Sequence, residues 1–85
     1  MFTVYVLHSP EFKKIYIGFT SDIEARLIAH NHTANKGWTS KFKPWKVIYS
    51  ENFKTKAEAM NREKQLKSAK GREFIHKTIL AQQSL

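Results

Sequence analysis

Five residues of this chain could do chemistry from places where a small domain usually keeps its core: Tyr5, Tyr16, Arg26, His30 and Glu63. On a helix turning about 100° per residue, Ile23, Leu27 and His30 share one face, with Arg26 at its edge. The stripe therefore begins apolar and becomes Arg and His. On a later helical segment Ala59, Met60 and Leu66 make the inward stripe, and Glu63 sits in its middle. A carboxylate there is costly unless it is paired or binds a cation. Each residue also has an ordinary reading. Glu63 can sit in a structural salt bridge, His30 can be a hydrogen-bonded semi-buried histidine, Arg26 a solvated helix charge, and the tyrosines plain strand residues. Convergence is what weakens those readings. A hairpin pairing residues whose numbers sum to 21 sets Tyr5 across from Tyr16 on one face. Gly18 then leaves that face bare, so a backbone or a phosphate could approach closely.

The elements that must position these residues follow from pattern. "FTVYVLHS" reads as a strand, Phe2, Val4 and Val6 alternating with Thr3, Tyr5 and Leu7. "PEFKK" is a turn, and "IYIGFT" returns as the second strand of a hairpin. Ser21-Asp22-Ile23-Glu24 has the form of a capping box with Ser21 at the N-cap, opening a helix to about Asn31–Ala34. "NKGWTSKFKP" is a polar, basic loop and "WKVIYS" a third strand. Thr55-Lys56-Ala57-Glu58 is a second capping box, opening a helix to about Ala69; Gly71 is expected to break it before a last short helix, "REFIHKTILAQ". The order β-β-α-β-α-α predicts an α+β layer fold in a single domain over residues 1–85.

Charge is placed as unevenly as chemistry. Residues 1–35 carry three basic and three acidic groups, whereas residues 36–85 carry twelve and four, so the whole excess of +8 lies in the second part. A basic half on a small domain suits an anionic partner, nucleic acid first, although a merely basic surface would look the same. No cysteine is present, which excludes disulfides, thiolate metal sites and cysteine nucleophiles and suits a reducing cytoplasm. No apolar run approaches the roughly 18 residues of a membrane span, and "MFTVYVLHSP" reads as a strand rather than a signal peptide.

Taken in order, these residues resemble the GIY-YIG nuclease family, above all its small stand-alone bacterial members. Tyr16-Ile17-Gly18 is the second motif, intact; Thr3-Val4-Tyr5 stands where the first is expected and keeps its tyrosine. Eleven positions separate the two tyrosines. "FTSDIEARLIAH" supplies the family's helix arginine as Arg26 and its helix His or Tyr as His30, and "NREKQLK" matches the helix of the metal-binding glutamate, here Glu63. The likeness covers about residues 2–75. It departs at Phe19, where some members carry lysine, at the missing glycine of the first motif, and at "KSAKGREF", where the family's C-terminal asparagine has no clear match.

The resemblance implies a three-stranded antiparallel sheet flanked by helices, and cleavage of nucleic-acid phosphodiesters with one divalent metal, Mg2+ or Mn2+. Glu63 would be the ligand of an ion that keeps most of its waters. Arg26, with a fixed charge and forked donors, suits the non-bridging oxygens. In the family a tyrosine is proposed as the base, so Tyr5 or Tyr16 would lose or share its proton, helped by nearby positive charge. His30 is the alternative base.

Around this centre, Lys36, Lys41, Lys43 and Lys46 interleave with Trp38, Phe42 and Trp45. Lysines suit phosphates, and the aromatics suit unpaired bases. Trp45 reads equally as a core residue at the start of a strand. Lys64, Lys67, Lys70 and Arg72 extend the basic surface beyond Glu63, either as a nucleic-acid track or as the solvated side of a helix. The expected activity is a DNA endonuclease directed by strand structure or single-strand character, of the kind used in repair or recombination. The alternatives are a non-catalytic nucleic-acid binder on the same scaffold and a protein-interaction module; a protein partner or weak homodimer fits either.

Overall fold

Strand β1 (Phe2–Ser9) has no polar face: Val4, Tyr5, Val6 and Leu7 are all buried in succession. Only a central strand covered on both sides can satisfy that pattern. In the computed structural model, which describes residues 1–32 and 37–80, β1 is the middle of a three-stranded antiparallel sheet, order β2-β1-β3. Strand β2 spans Lys14–Thr20 and β3 Lys46–Phe53. Helix α1 (Ile23–Asn31) follows β2; a single 3₁₀ turn (Trp38–Phe42) precedes β3. Helices α2 (Lys56–Lys67) and α3 (Ala69–Phe74) come last, and α3 runs on into a wider π turn over Ile75–Leu80. The expected order, β-β-α-β-α-α in an α+β fold, is the observed one.

The faces of β1 are covered differently. Val4 and Val6 join Ile17, Ala59, Leu66, Ile75 and Ile79 in an aliphatic core under α2 and the C-terminal turn. Tyr5 and Leu7 join Trp45, with Tyr16, Ile23, Leu27, Phe42 and Val47 packed around them under α1 and the 3₁₀ turn. A bulge in β3 opposite Val6 and Leu7 lets both arrangements exist. It turns Val47 to the tyrosine face while Ile48 and Tyr49 pack with the aliphatic core.

Four local expectations are corrected. The hairpin register sums to 23, pairing Tyr5 with Gly18 and Leu7 with Tyr16. Pro10 cannot donate to the ladder, so the turn takes residues 10–13 and closes with Lys13 at φ 54, in the left-handed region. The shift is by two, which leaves every side chain on its expected face.

The N-cap of α1 is Asp22 instead of Ser21. Thr20 Oγ1 takes the Asp22 N–H at 3.1 Å, and Asp22 Oδ1 accepts from Ala25 N–H at 3.1 Å. Met60 is 39% exposed, off the inward stripe that Ala59 and Leu66 hold. Finally, Gly71 lies inside α3 and breaks nothing. The break is made by Ser68, whose hydroxyl donates to the Gln65 carbonyl at 2.5 Å and accepts the Gly71 N–H at 3.1 Å. Gly71 is required for approach, since a Cβ there would sit 2.1 Å from the Gln65 carbonyl oxygen. The capping box at Thr55 and Glu58 forms as expected.

Candidate active site

The tyrosine face gathers most of the expected residues. Tyr5 points from the central strand, and Tyr16 from its neighbour, two positions off its cross-strand partner. Their rings lie 6.2 Å apart and stacked. His30, in the last turn of α1, completes the cluster at 4.8 Å from the Tyr16 ring and 6.2 Å from that of Tyr5. The Tyr5 hydroxyl is 3.3 Å from His30 Nε2, and His30 Nδ1 is 3.0 Å from Thr39 Oγ1.

Gly18 is where this packing is decided, and the open patch expected there is filled. Tyr5 lies directly over it: a Cβ at Gly18 would come within 2.7 Å of the Tyr5 hydroxyl oxygen and 3.1 Å of the Tyr16 ring. The glycine thus admits a phenol, and the bare patch expected there is occupied by the Tyr5 ring. Burial separates the two tyrosines. Tyr5 is 1% exposed, whereas Tyr16 is half-buried and lines a cavity of about 180 Å³ with Ile15, Ile17, Trp38, Lys67 and Arg72.

Electrostatics follow from that burial. Burial raises the pKa of the Tyr5 phenol above its ordinary value; the charges of Tyr16 and Glu63 add to this, while hydrogen bonding and charge from Arg26 oppose it. Burial, and then the Arg26 charge, hold His30 below the usual imidazole value. At neutral pH the face therefore carries a neutral phenol bonded to a neutral imidazole. Arg26 is exposed on α1, and its charge acts on both Tyr5 and His30.

Glu63 approaches from α2, its side chain 20% exposed and paired with Lys67 Nζ at 3.3 Å. The ordinary salt-bridge reading of Glu63 is thus present, alongside its field on Tyr5. Among the described residues no three His, Asp or Glu side chains gather into a metal-holding group.

The basic residues divide. Lys67 and Arg72 reach the cavity beside Tyr16, Arg72 also donating to the Lys67 carbonyl at 3.3 Å. Lys64 and Lys70 line a different groove, with Arg62, Gln65 and Phe74, and are not brought to the tyrosines. Lys41 is exposed on the 3₁₀ turn, and Lys43 donates to the His32 carbonyl at 3.2 Å. Trp38 is 49% exposed beside Tyr16; Trp45 is buried, its indole N–H on the Thr39 carbonyl at 2.8 Å. Lys36 lies outside the described residues.

Two residues that pattern did not single out help hold the site. Thr39 ties His30 to the buried indole of Trp45. Asn31 clamps the Trp45 backbone, accepting its N–H at 2.7 Å and donating to its carbonyl at 3.0 Å. Both are polar residues in or beside a loop, and nothing in their spacing marks them.

This sheet, with paired tyrosines and a helix histidine clustered on one face, points to a class. The chain matches the GIY-YIG catalytic domain over residues 1–77, and it belongs to that family. It is similar to a UPF0213 protein of Staphylococcus haemolyticus, 34% identical over 65 residues, which are 76% of this chain and 78% of that protein. A UPF0213 protein of Staphylococcus saprophyticus is 39% identical over 54 residues, 64% of this chain and 66% of its relative, so just under two thirds of that relative is spanned. Among solved structures, the solution NMR structure of a UPF0213 protein from Bacillus halodurans superposes with a TM-score of 0.52 at 27% identity, covering 88% of this chain and 82% of that one.

Proposed function

We propose that this chain is a metal-dependent endonuclease that hydrolyses DNA phosphodiester bonds, directed by strand structure or single-strand character rather than by base sequence. The observation that carries the reading is the joining of Tyr5, Tyr16 and His30 into one cluster, on which the Arg26 charge acts. A merely structural core gains little from a buried phenol set against an imidazole. Family membership supports a nuclease-type activity; the metal, the substrate and a role in repair or recombination belong to the proposal.

Phosphodiester hydrolysis needs a water stripped of its proton, charge relief on the phosphoryl oxygens and a stabilised leaving oxygen. A single Mg2+ or Mn2+ ion held through Glu63 would supply the charge relief and favour the leaving group. The donor set fits such an ion: one partly buried carboxylate with no gathered imidazoles suits a hard cation that keeps most of its waters. Lys67 must then release Glu63, which a flexible, half-exposed ammonium can do. Arg26, exposed on α1, can turn toward the non-bridging oxygens.

The proton leaves by the tyrosine–histidine pair. In the tautomer that donates Nδ1–H to Thr39 Oγ1, His30 Nε2 would be the acceptor of the Tyr5 proton. Once substrate binding admits a water beside its ring, Tyr5 would pass one proton on as it takes one from that water and never become a free phenolate, which its raised pKa would disfavour. Tyr16, open to the cavity, is the tyrosine placed to touch substrate directly.

Cleavage of supercoiled plasmid, branched DNA and single strands, with Mg2+ or Mn2+ and with EDTA, tests the reading. Metal-dependent cutting should fall at least about a hundredfold in Glu63→Ala. Binding by both proteins with no turnover by wild type on any substrate would instead make this a nucleic-acid-binding module.

A further inference from the structure

Outward from Tyr16, aromatic rings continue past the site. The Trp38 ring lies stacked 6.4 Å from Tyr16, Phe42 is 4.8 Å from Trp38, and Phe12 is 5.6 Å from Phe42. The run starts in the cavity and ends on the hairpin turn. Its middle, Phe42, packs against the tyrosine-side core, but its flanking members are open: Trp38 is 49% and Phe12 45% exposed. Two large aromatics left open on a domain this small, and joined by a third, form a patch that asks for an occupant.

Charge says which. Lys14 Nζ lies 5.5 Å over the Phe42 ring, Lys41 is exposed on the same 3₁₀ turn, and Lys67 and Arg72 close the far side of the cavity that Trp38 and Tyr16 line. Glu11 is the one acidic group on the hairpin turn. Rings interleaved with cations suit a polyanion carrying flat apolar faces. Base faces are hidden inside a duplex and available in a single strand.

We propose that Trp38, Phe42 and Phe12 form a stacking track for an unpaired nucleic-acid segment, with Trp38 taking the base next to the phosphate held at Tyr16 and Arg26. The direction of the track rests on the endonuclease reading of that site; the stacking itself does not. Lys14 and Lys41 hold the outer phosphates, and Lys67 and Arg72 the inner ones. A strand entering from the hairpin turn is thereby delivered to the tyrosines unpaired.

Tryptophan fluorescence reports on this directly, because Trp45 is 3% exposed and Trp38 is the accessible indole. Glu63→Ala protein, to prevent turnover, is titrated with oligodeoxyuridylate, oligouridylate and a DNA duplex of equal length. Both single strands should quench the fluorescence, and the tighter of the two identifies the sugar that is read. Trp38→Phe should abolish the quenching while holding affinity within about threefold, which also shows that the fold is kept. Trp38→Ala should weaken single-strand binding about five- to a hundredfold and duplex binding less than about twofold. Phe12→Ala, at the outer end, should cost about fivefold. Unchanged fluorescence on saturation, or equal loss for duplex and single strand in Trp38→Ala, overturns the track. Quenching without cleavage by wild type on any substrate would sink the nuclease reading and leave the track standing; cleavage without quenching would do the reverse.

Discussion

The two sides of one strand divide the labour of this molecule. Val4 and Val6 face an aliphatic core whose members, Ile17, Ala59, Leu66, Ile75 and Ile79, carry no polar side-chain atom. Tyr5, one residue along, faces a phenol, an imidazole and an indole, with the Arg26 charge acting on it. Both sides are closed to water at β1, yet they spend burial differently. On the aliphatic side, exclusion of water yields stability through area and close packing. On the tyrosine side it shifts proton affinities, raising Tyr5 and lowering His30, and so sets the protonation states the proposed chemistry needs. A domain of this size has one sheet, and it can serve both purposes only because a strand sends alternate side chains to opposite faces.

The comparison breaks most visibly if one hydroxyl is removed. Tyr5→Phe keeps the ring over Gly18 and deletes the bond to His30. Cleavage should fall by about 10²- to 10⁴-fold, the range for losing a positioned acid–base group. Folding stability should fall by only about 1 kcal/mol. Denaturant titration beside single-turnover cleavage separates the two; a stability loss several times larger would make Tyr5 a core residue that happens to carry an oxygen.

The opposite signature belongs to the aliphatic side. Leu66 is fully buried against Val4, Val6 and Ile75. Leu66→Ala should cost about 2–5 kcal/mol. At temperatures where the variant stays folded, its cleavage rate should remain within a few-fold of wild type. A loss of activity out of proportion to the folded fraction would mean that the two sides are mechanically coupled.

Most of this division was legible before the structure, and the failures have physical causes. Alternation along β1 identified which residues share a face, because the strand period is fixed by backbone geometry. Alternation cannot say how far two strands slide by an even step. That is set by the turn, and Pro10 with the left-handed Lys13 chose a four-residue one. Ser21 and Asp22 are both good N-caps in isolation, and the choice fell to a neighbour, Thr20, whose hydroxyl takes the Asp22 N–H. Gly71 reads as a helix breaker by propensity, whereas its role is to let α3 meet the end of α2. Thr39 was invisible for a similar reason: its bond to His30 spans a loop, and no periodicity crosses loops. Residue types and order therefore gave the face and its chemistry. The contacts that tune that chemistry depend on turns.

Acid and alkali should sharpen the contrast further. His30 and His8 both have folded values below the usual 6.5, mainly through burial. An unfolded chain takes up protons below about pH 6.5 that the folded chain resists, so stability is fully present above that pH and is lost as pH falls through it. Tyr5 and Tyr49 are raised by burial, so the folded chain holds protons the unfolded chain releases above about pH 10, and stability is lost again there. A plot of unfolding free energy against pH should thus show a plateau with two falling shoulders. In His30→Gln the acid shoulder should shrink to the His8 contribution. Cleavage by wild type should switch off on the acid side as His30 gains its proton, below the usual imidazole range. A shoulder unmoved by His30→Gln would place the titration elsewhere.

The smallest effects should come from the helix caps, and they carry the comparison to the helices. Asp22 caps α1 and Thr55 caps α2, and replacing either with Ala should cost about 1 kcal/mol or less. The consequences should differ in kind. Helix α2 is anchored through Ala59 and Leu66 in the aliphatic core, so Thr55→Ala should lower the unfolding midpoint and leave the site alone. Helix α1 is nine residues long, has His30 as its one buried residue, and exposes Ile28. It is short enough to be marginal by itself and is held at its far end by the Asn31 clamp on Trp45. Asp22→Ala should therefore fray the first turn locally and let Arg26, which begins the second, wander from the tyrosine face on which its charge acts. Amide exchange should speed up over Ile23–Leu27 by up to about fivefold with the unfolding midpoint almost unchanged, and cleavage should fall by a similar factor. Equal shifts in midpoint for the two caps, with no local exchange in α1, would mean that the tyrosine side is as rigidly built as the aliphatic one.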